Sequence, residues 1–188
     1  VKGPAMDPSQ ARKAISNGIE IVYDLCRNGT DIIITGEMGI GNTTTSAAIA
    51  SLILGIPAEI TTGRGAGLDS SGMSRKIAAI HRAIKLNKPD PTDPIDVLSK
   101  LGGFDIAGMT GLFLGGAECG IPIVIDGVIS AVSACLAEMI SPGCRDFMLP
   151  SHVSNEPSAR LLLEKLGLKA PINAGFHLCE GTGGIMLL

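Results

Sequence analysis

Two short β-branched runs, each followed by glycine and then by a helix-forming segment, constrain the fold of this chain most strongly. They lie at residues 31–35 and 121–126. Short continuous apolar runs are typical of parallel strands that are buried on both faces. Because such strands alternate here with helical segments, we predict an α/β fold with a parallel sheet and helices on both faces, a Rossmann-like layered core.

Periodicity, capping residues and glycine or proline stops predict the other elements. We expect helices over residues 8–27, 43–54, 71–86, 94–101, 105–119, 127–140 and 157–166, and a third strand over 145–149. Glycine-rich loops are predicted over residues 36–42, 63–67 and 175–184. With no repeat and no obvious linker, residues 1–188 are expected to form a single α/β core domain. Ligands of such sheets bind at the carboxyl ends of the strands, so we expect a site among these loops.

Composition argues against several classes of function. Glycine accounts for 25 of 188 residues, nearly twice the ~7% of average usage. A net charge of −3 and 3% aromatic residues offer neither a basic surface nor stacking platforms, so no nucleic acid is expected as a partner. The most apolar window, residues 121–140, contains two carboxylates, so no membrane association is expected. Five cysteines without a CxxC pair are typical of a reduced, cytoplasmic chain without a metal site.

The loop GEMGIGNTT at residues 36–44 is the strongest local signal for a ligand. Its glycines allow several backbone N–H groups to converge on one anion at a helix N-terminus. It nearly matches the pattern GxxxxGK[ST], with Gly36, Gly41 and Thr43 in register, but Asn42 replaces the lysine that would pair with the β- and γ-phosphates. We therefore predict a cradle for a single phosphate. A tight turn without a ligand is the alternative, and Glu37 within the loop favours the functional interpretation.

Two further candidates are less specific. Arg75 and Lys76 would supply positive charge near the phosphate, although their spacing alone favours an exposed helical face. Glu180 precedes a glycine-rich stretch and closely follows Phe176 and Leu178. Partial desolvation there would raise the pKa of its carboxyl group and make it a better base near neutral pH. A solvated loop glutamate is the alternative.

Asp126 and His152 are also candidates. Asp126 ends the second predicted strand, which is a favoured ligand position in α/β sheets, although an aspartate there is also a common helix N-cap. His152 would hydrogen-bond a substrate or serve a loop or capping role. His81 lies within a predicted helix with no metal-ligand residue three or four positions away.

Five motifs in a fixed order resemble those of the nicotinate-nucleotide–dimethylbenzimidazole phosphoribosyltransferase family. They are GEMGIGNTT at 36–44, GRGAGLD at 63–69, VIDGVISA at 124–131, SHVSNEPSA at 151–159 and CEGTGG at 179–184. The resemblance covers nearly the whole chain. It implies that these residues form the large α/β domain of a longer enzyme, with the N- and C-terminal parts of a smaller helical domain absent.

The resemblance also implies a reaction and a set of residues. Phosphoribosyl would pass from nicotinate mononucleotide to 5,6-dimethylbenzimidazole, giving α-ribazole 5′-phosphate for cobalamin biosynthesis. Glu180 would be the catalytic base. Of the substrate-binding residues, those at 39–42 would hold the phosphate or ribose, Lys76 would add charge, and Glu37 and Asp126 would bond ribose hydroxyls or order loops. The full substrate-binding set is Glu37, Met38, Gly39, Ile40, Gly41, Asn42, Lys76, Asp126, Leu178 and Gly181.

The same resemblance makes Met38 and Leu178 apolar walls for the ring systems, with core packing as the alternative. It implies no cofactor and no metal, and it implies a homodimer. Two other functions stay open at this point. One is a P-loop-like nucleotide hydrolase or kinase, against which Asn42 argues. The other is a non-catalytic module that binds a phosphate ligand.

Overall fold

A three-stranded parallel sheet lies at the centre of the computed structural model, which describes residues 2–65, 67–175 and 180–188. Its strands are β1 (Ile33–Ile34), β2 (Ile123–Ile125) and β3 (Met148–Pro150), in the order β1-β2-β3. All three residues of β2 are buried. A central parallel strand is covered on both faces, which explains why its sequence is an uninterrupted β-branched run.

Helices flank this sheet and confirm the predicted α/β class. None of the helices in the described ranges is long and apolar enough to cross a membrane. The helices are α1 (Pro8–Arg27), α2 (Asn42–Leu54), α3 (Ala58–Thr61), α4 (Ser70–Asn87), α5 (Pro94–Leu101), α6 (Phe104–Cys119), α7 (Gly127–Ile140), α8 (Pro157–Leu166) and α9 (Thr182–Leu187).

The strand predicted over residues 145–149 is wrong in its position. Cys144–Phe147 form a 3-10 helix, and β3 begins only after it. Gly143 enters this turn with a φ of +97°, a left-handed conformation that favours glycine. The Glu138 carboxylate then accepts hydrogen bonds from the backbone N–H groups of Gly143 and Arg145. Glu138 lies only five and seven residues before these partners, but strand propensity does not register such a contact.

Two short helices also differ from the prediction. α3 was not predicted, and α9 occupies part of the loop predicted over residues 175–184. Gly181 precedes α9 with a φ of +88°, and its carbonyl oxygen accepts a hydrogen bond from the backbone N–H of Ile185. Glycine-rich sequence predicts a loop by composition, whereas here the glycines allow a helix to pack tightly against the sheet.

Glycines let α1 and α6 pack almost backbone to backbone. A Cβ atom added at Gly18 would lie 2.1 Å from the carbonyl oxygen of Gly108, and one added at Gly111 would lie 2.0 Å from the carbonyl oxygen of Ile15. Both distances are far inside van der Waals contact. Gly108 itself is different, because a Cβ added there would meet nothing within 4 Å.

This packing predicts opposite effects for two alanine substitutions on one helix. We expect Gly111→Ala to lower the free energy of unfolding by about 2 kcal/mol, because the new methyl group forces the helices apart. Gly108→Ala is the matched control and should be neutral or stabilising by up to ~1 kcal/mol, since alanine favours a helix interior. Urea denaturation followed by circular dichroism measures both. Equal effects of the two variants would contradict the packing described.

Candidate active site

The carboxyl ends of the three strands bring together polar residues that are distant in the chain. Thr35 follows β1, Asp126 follows β2, and Ser151 follows β3. The hydroxyl groups of Thr35 and Ser151 donate to the carbonyl oxygens of Val124 and Ile125, at 2.7 and 2.8 Å. These bonds give both buried hydroxyl groups a hydrogen-bond partner. They also connect the ends of neighbouring strands at the edge of the sheet where the loops lie.

The glycine loop at residues 36–41 turns into α2 in the geometry expected of an anion cradle. Gly41 has a φ of +93° and caps α2. Glu37 folds back on the loop, and its Oε1 accepts a 2.8 Å hydrogen bond from the backbone N–H of Gly39. Two buried atoms, Oε2 of Glu37 and Nδ2 of Asn42, have no hydrogen-bond partner among the described residues. Buried polar atoms are nearly always paired, so an acceptor and a donor are available here for a ligand.

Met38 and Ile40 project from this loop into solvent. Their side chains are 75% and 106% exposed. The alternative that Met38 belongs to the core is therefore wrong. Both side chains are available as apolar surface beside the anion cradle. Leu178, predicted as a second apolar wall, lies outside the described residues.

Lys76 of α4 reaches this loop from another part of the chain. Its side chain is buried, and its Nζ donates to Oγ1 of Thr43 and to the carbonyl oxygen of Gly63, both at 2.9 Å. The spacing favoured an exposed position for both residues. That prediction is wrong for Lys76, which is buried, and correct for Arg75, which is exposed. Burial lowers the pKa of Lys76, and the nearby carboxylate of Glu156 opposes that shift. Position 42 carries no lysine, but the ammonium group of Lys76 contacts the neighbouring Thr43.

Glu156 is a site residue that the sequence interpretation did not single out. Its Oε1 accepts a 3.1 Å hydrogen bond from the backbone N–H of Gly65. A Cβ atom added at Gly63 would lie 2.0 Å from its Oε2, so only glycine fits beneath the carboxylate. Together with Lys76, Glu156 attaches the second glycine loop to the rest of the site. The motif SHVSNEPSA contains this residue, but nothing in the local pattern indicates its distant partners.

Loss of the Glu156 carboxylate should loosen the second glycine loop. We expect Glu156→Ala to accelerate trypsin cleavage after the exposed Arg64 about tenfold, because one hydrogen bond from a charged group is lost, worth ~1.5 kcal/mol. Limited proteolysis with mass spectrometry measures this rate. The matched control is Glu164→Ala, an exposed glutamate on α8. An unchanged rate for Glu156→Ala would contradict the tethering role.

Asp126 connects the sheet to the segment that carries Glu180. It is 1% exposed and occupies the N-cap position of α7, as the alternative predicted, but its side chain makes no capping hydrogen bond to that helix. Its Oδ2 accepts a 2.7 Å hydrogen bond from the backbone N–H of Gly181, and its Oδ1 accepts a 3.2 Å bond from that of Gly184. Of the two roles that the resemblance allowed, these contacts favour the ordering of a loop.

His152 completes this buried cluster. The ring is 3% exposed, and its Nδ1 lies 2.9 Å from Oγ of Ser151 and 3.5 Å from Oδ1 of Asp126. Burial lowers the pKa of His152, whereas the Asp126 carboxylate opposes the shift. A Cβ atom added at Gly183 would lie 2.1 Å from this Nδ1, so the start of α9 packs directly against His152 and Asp126. The ring supports the site from within rather than lining its surface.

Glu180 lies at the rim of the site, directly against the first glycine loop. A Cβ atom added at Gly36 would lie 2.9 Å from the carbonyl carbon of Glu180. The Glu180 side chain itself is exposed. The described residues therefore do not provide the partial desolvation of its carboxylate that the sequence predicted. The apolar neighbours behind that expectation, Phe176 and Leu178, lie outside them. The structure thus brings an exposed carboxylate, a glycine loop at the start of a helix and a buried ammonium group to one edge of the sheet.

Fold and loops together define an α/β protein with glycine-rich loops at the carboxyl edge of a parallel sheet, the edge at which proteins of this class bind ligands. Comparison with known proteins gives the particular family. The family model DBI_PRT, described as phosphoribosyltransferase, matches residues 1–188. The chain belongs to this phosphoribosyltransferase family.

Curated relatives carry a more specific name. The nicotinate-nucleotide–dimethylbenzimidazole phosphoribosyltransferase of Acetivibrio thermocellus is 49% identical over 185 residues, which cover 98% of this chain and 53% of the relative. The protein of the same name from Dehalococcoides mccartyi strain CBDB1 is 48% identical over 188 residues, again 53% of its length. The chain therefore spans about half the length of the curated relatives it matches.

Solved structures agree. The crystal structure of CobT from Thermus thermophilus matches with a TM-score of 0.92 at 38% identity, covering 98% of this chain and 55% of that one. The structure titled as the nicotinate-nucleotide–dimethylbenzimidazole phosphoribosyltransferase of the same organism matches with a TM-score of 0.90 at 36% identity. It covers 98% of this chain and 54% of that one.

Proposed function

We propose that this protein transfers phosphoribosyl from nicotinate mononucleotide to 5,6-dimethylbenzimidazole, giving α-ribazole 5′-phosphate and nicotinate. The observation that carries the proposal is the contact between the Glu180 backbone and the glycine loop at Gly36. This contact supports the assignment of Glu180 as a base beside the glycine loop that we propose to hold the phosphate. The names of the relatives supply the substrates, which the geometry alone does not specify.

The chemistry explains why one carboxylate is sufficient. A nitrogen of the benzimidazole attacks the anomeric carbon of the ribose, and the bond from that carbon to the pyridinium nitrogen breaks. The bonding electron pair stays on the pyridine nitrogen, which leaves uncharged and needs no general acid. The N–H proton of the azole passes to Glu180. A positioned base contributes ~10²–10⁴-fold to the rate.

The remaining residues bind and orient the nucleotide. Backbone N–H groups at 40–42 and the helix dipole of α2 favour the 5′-phosphate, whereas the N–H of Gly39 donates to Glu37. Lys76 adds a positive charge at Thr43. The unpartnered atoms of Glu37 and Asn42 are suited to ribose hydroxyls. Met38 and Ile40 offer apolar surface for an aromatic ring. Holding both rings on opposite sides of the ribose supplies much of the remaining acceleration.

Contacts at Thr43 argue against the P-loop alternative. In a P-loop the hydroxyl of this residue binds Mg²⁺. Here Oγ1 of Thr43 accepts a hydrogen bond from the ammonium group of Lys76 at 2.9 Å. A second cation at that hydroxyl would meet direct charge repulsion. ATP with Mg²⁺ should therefore leave the melting temperature unchanged, whereas a clear rise would favour the alternative.

Release of nicotinate is the direct test. The protein at its full natural length is incubated with nicotinate mononucleotide, with and without 5,6-dimethylbenzimidazole, and the products are separated by chromatography. We expect nicotinate and α-ribazole 5′-phosphate in equal amounts, and only when the benzimidazole is present. Stabilisation by nicotinate mononucleotide without any product would favour a non-catalytic binding module instead.

The domain organisation, the assembly and the location are proposed with this function. Residues 1–188 are proposed as one α/β core domain whose loops bind both substrates. The resemblance supports a homodimer in the cytoplasm. Light scattering coupled to size-exclusion chromatography tests the dimer, and a monomeric mass at micromolar concentration would contradict it.

A further inference from the structure

Two contacts define the register of α1 against α6, away from the proposed active site. A Cβ atom added at Gly111 would lie 3.0 Å from the Cα of Gly18, and one added at Gly115 would lie 2.9 Å from the Cβ of Val22. From the first contact to the second, each helix advances by four residues. The two helices therefore run parallel, and residues four positions apart repeat the contact on the same face.

The next step of this register brings two thiols together. It places Cys26, near the end of α1, opposite Cys119, the last residue of α6. Interaction with the Cys26 thiol contributes to a raised pKa of Cys119, which fits two side chains that lie close together. The adjacent Tyr23 hydroxyl donates to Oε2 of Glu118, which holds the same two helix ends together independently. Both thiols are partly exposed, so a small reagent can reach them.

Two other cysteines provide a contrast within the same chain. Cys135 and Cys144 are buried, and burial raises the pKa of each thiol to about 12. Since the thiolate is the nucleophile in thiol–disulfide exchange, these two are inert near neutral pH. They are internal controls for any reaction that needs an accessible thiol pair.

We propose that Cys26 and Cys119 form a reversible disulfide when the protein meets a small-molecule disulfide. One cysteine thiolate attacks the reagent, forms a mixed disulfide and releases one reagent thiolate. The second cysteine loses its proton and attacks the protein sulfur of that mixed disulfide. The new S–S bond forms as the second reagent thiolate leaves, so the protein loses two electrons and the reagent is reduced to two thiols.

Closing this disulfide should stabilise the fold. The bond would close a loop of roughly 90 residues, and a cross-link of that length restricts the unfolded chain strongly. The expected result is a rise of about 10 °C in the melting temperature, which dithiothreitol reverses. The disulfide is given no function in phosphoribosyl transfer, so its formation does not depend on the transferase activity.

Mass spectrometry of the native protein treated with oxidised glutathione tests the pair. We expect one cross-linked peptide containing Cys26 and Cys119, with a mass about 2 Da below the sum of the two reduced peptides. Cys135 and Cys144 should stay as free thiols. The matched variant Cys119→Ser should retain glutathione on Cys26 and show no rise in melting temperature.

Three results would overturn the proposal. They are glutathione on both cysteines of one molecule without a cross-link, a cross-link to another cysteine, and no reaction of the native protein. The wild-type peptide map decides between these and the expected result even if a serine variant fails to fold.

Discussion

Glu180→Gln is expected to reduce phosphoribosyl transfer by ~10²–10⁴-fold while leaving the affinity for nicotinate mononucleotide within a few-fold of the wild type. The amide has nearly the shape of the carboxylate but cannot accept the azole proton. Because Glu180 is exposed at the rim, the substitution should not disturb the fold. Nicotinate release measures turnover, and isothermal titration calorimetry measures nucleotide binding, both in the protein at its full natural length.

A second acceptor separates proton transfer from simple positioning. 1-Methylbenzimidazole can attack through its free nitrogen but has no N–H proton to lose. The large difference between wild type and Glu180→Gln should therefore disappear with this acceptor. The control variant is Glu164→Gln, an exposed glutamate on α8, which should be fully active. Wild-type turnover of 5,6-dimethylbenzimidazole by Glu180→Gln would remove Glu180 from the role of base.

Asp126→Asn should affect both stability and turnover, because one carboxylate holds the sheet and the Glu180 segment together. The change weakens the bonds from the N–H groups of Gly181 and Gly184 and removes the charge beside His152. Loss of charged hydrogen bonds at a buried position is expected to lower the free energy of unfolding by about 3 kcal/mol. The rate should fall as well, since Glu180 is no longer held against Gly36.

Urea denaturation and steady-state kinetics test this prediction together, with kinetics measured where circular dichroism shows the variant to be folded. Asp146→Asn is the control, because Asp146 is exposed in the 3-10 helix before β3. A positioning role predicts a lower kcat with little change in KM for nicotinate mononucleotide. A higher KM with unchanged kcat would instead indicate that Asp126 binds the ribose directly.

Much of the layered fold could be predicted because its signals are local. The β-branched run at residues 121–126 predicts a buried strand, and β2 lies within it. Glycine at positions 36 and 41 similarly predicts a turn into a helix, where α2 begins. The strand predicted over 145–149 began too early because Glu138 caps the turn before β3 from five and seven residues away, and strand propensity does not register such a contact.

The site was predictable in its residue types but not in their partners. Spacing alone favoured an exposed Lys76, although the folded chain buries it against Thr43 and Gly63. Glu156 went unnoticed because its partners in the second glycine loop are about 90 positions away in the chain. Periodicity describes only the face of a helix that a residue occupies, and it contains no information on the element that packs there.

The sequence by itself determined the parallel α/β class and the glycine turn from residue 36 into α2. Strand propensity, helix periodicity and turn chemistry act over a few residues, so the chain specifies them wherever it folds. Only the tertiary structure decided that Lys76 supplies a cation at Thr43 and that Asp126 holds the segment carrying Glu180. These contacts join residues 33 and 55 positions apart, and they form only when packing of the aliphatic core brings the loops to one edge of the sheet.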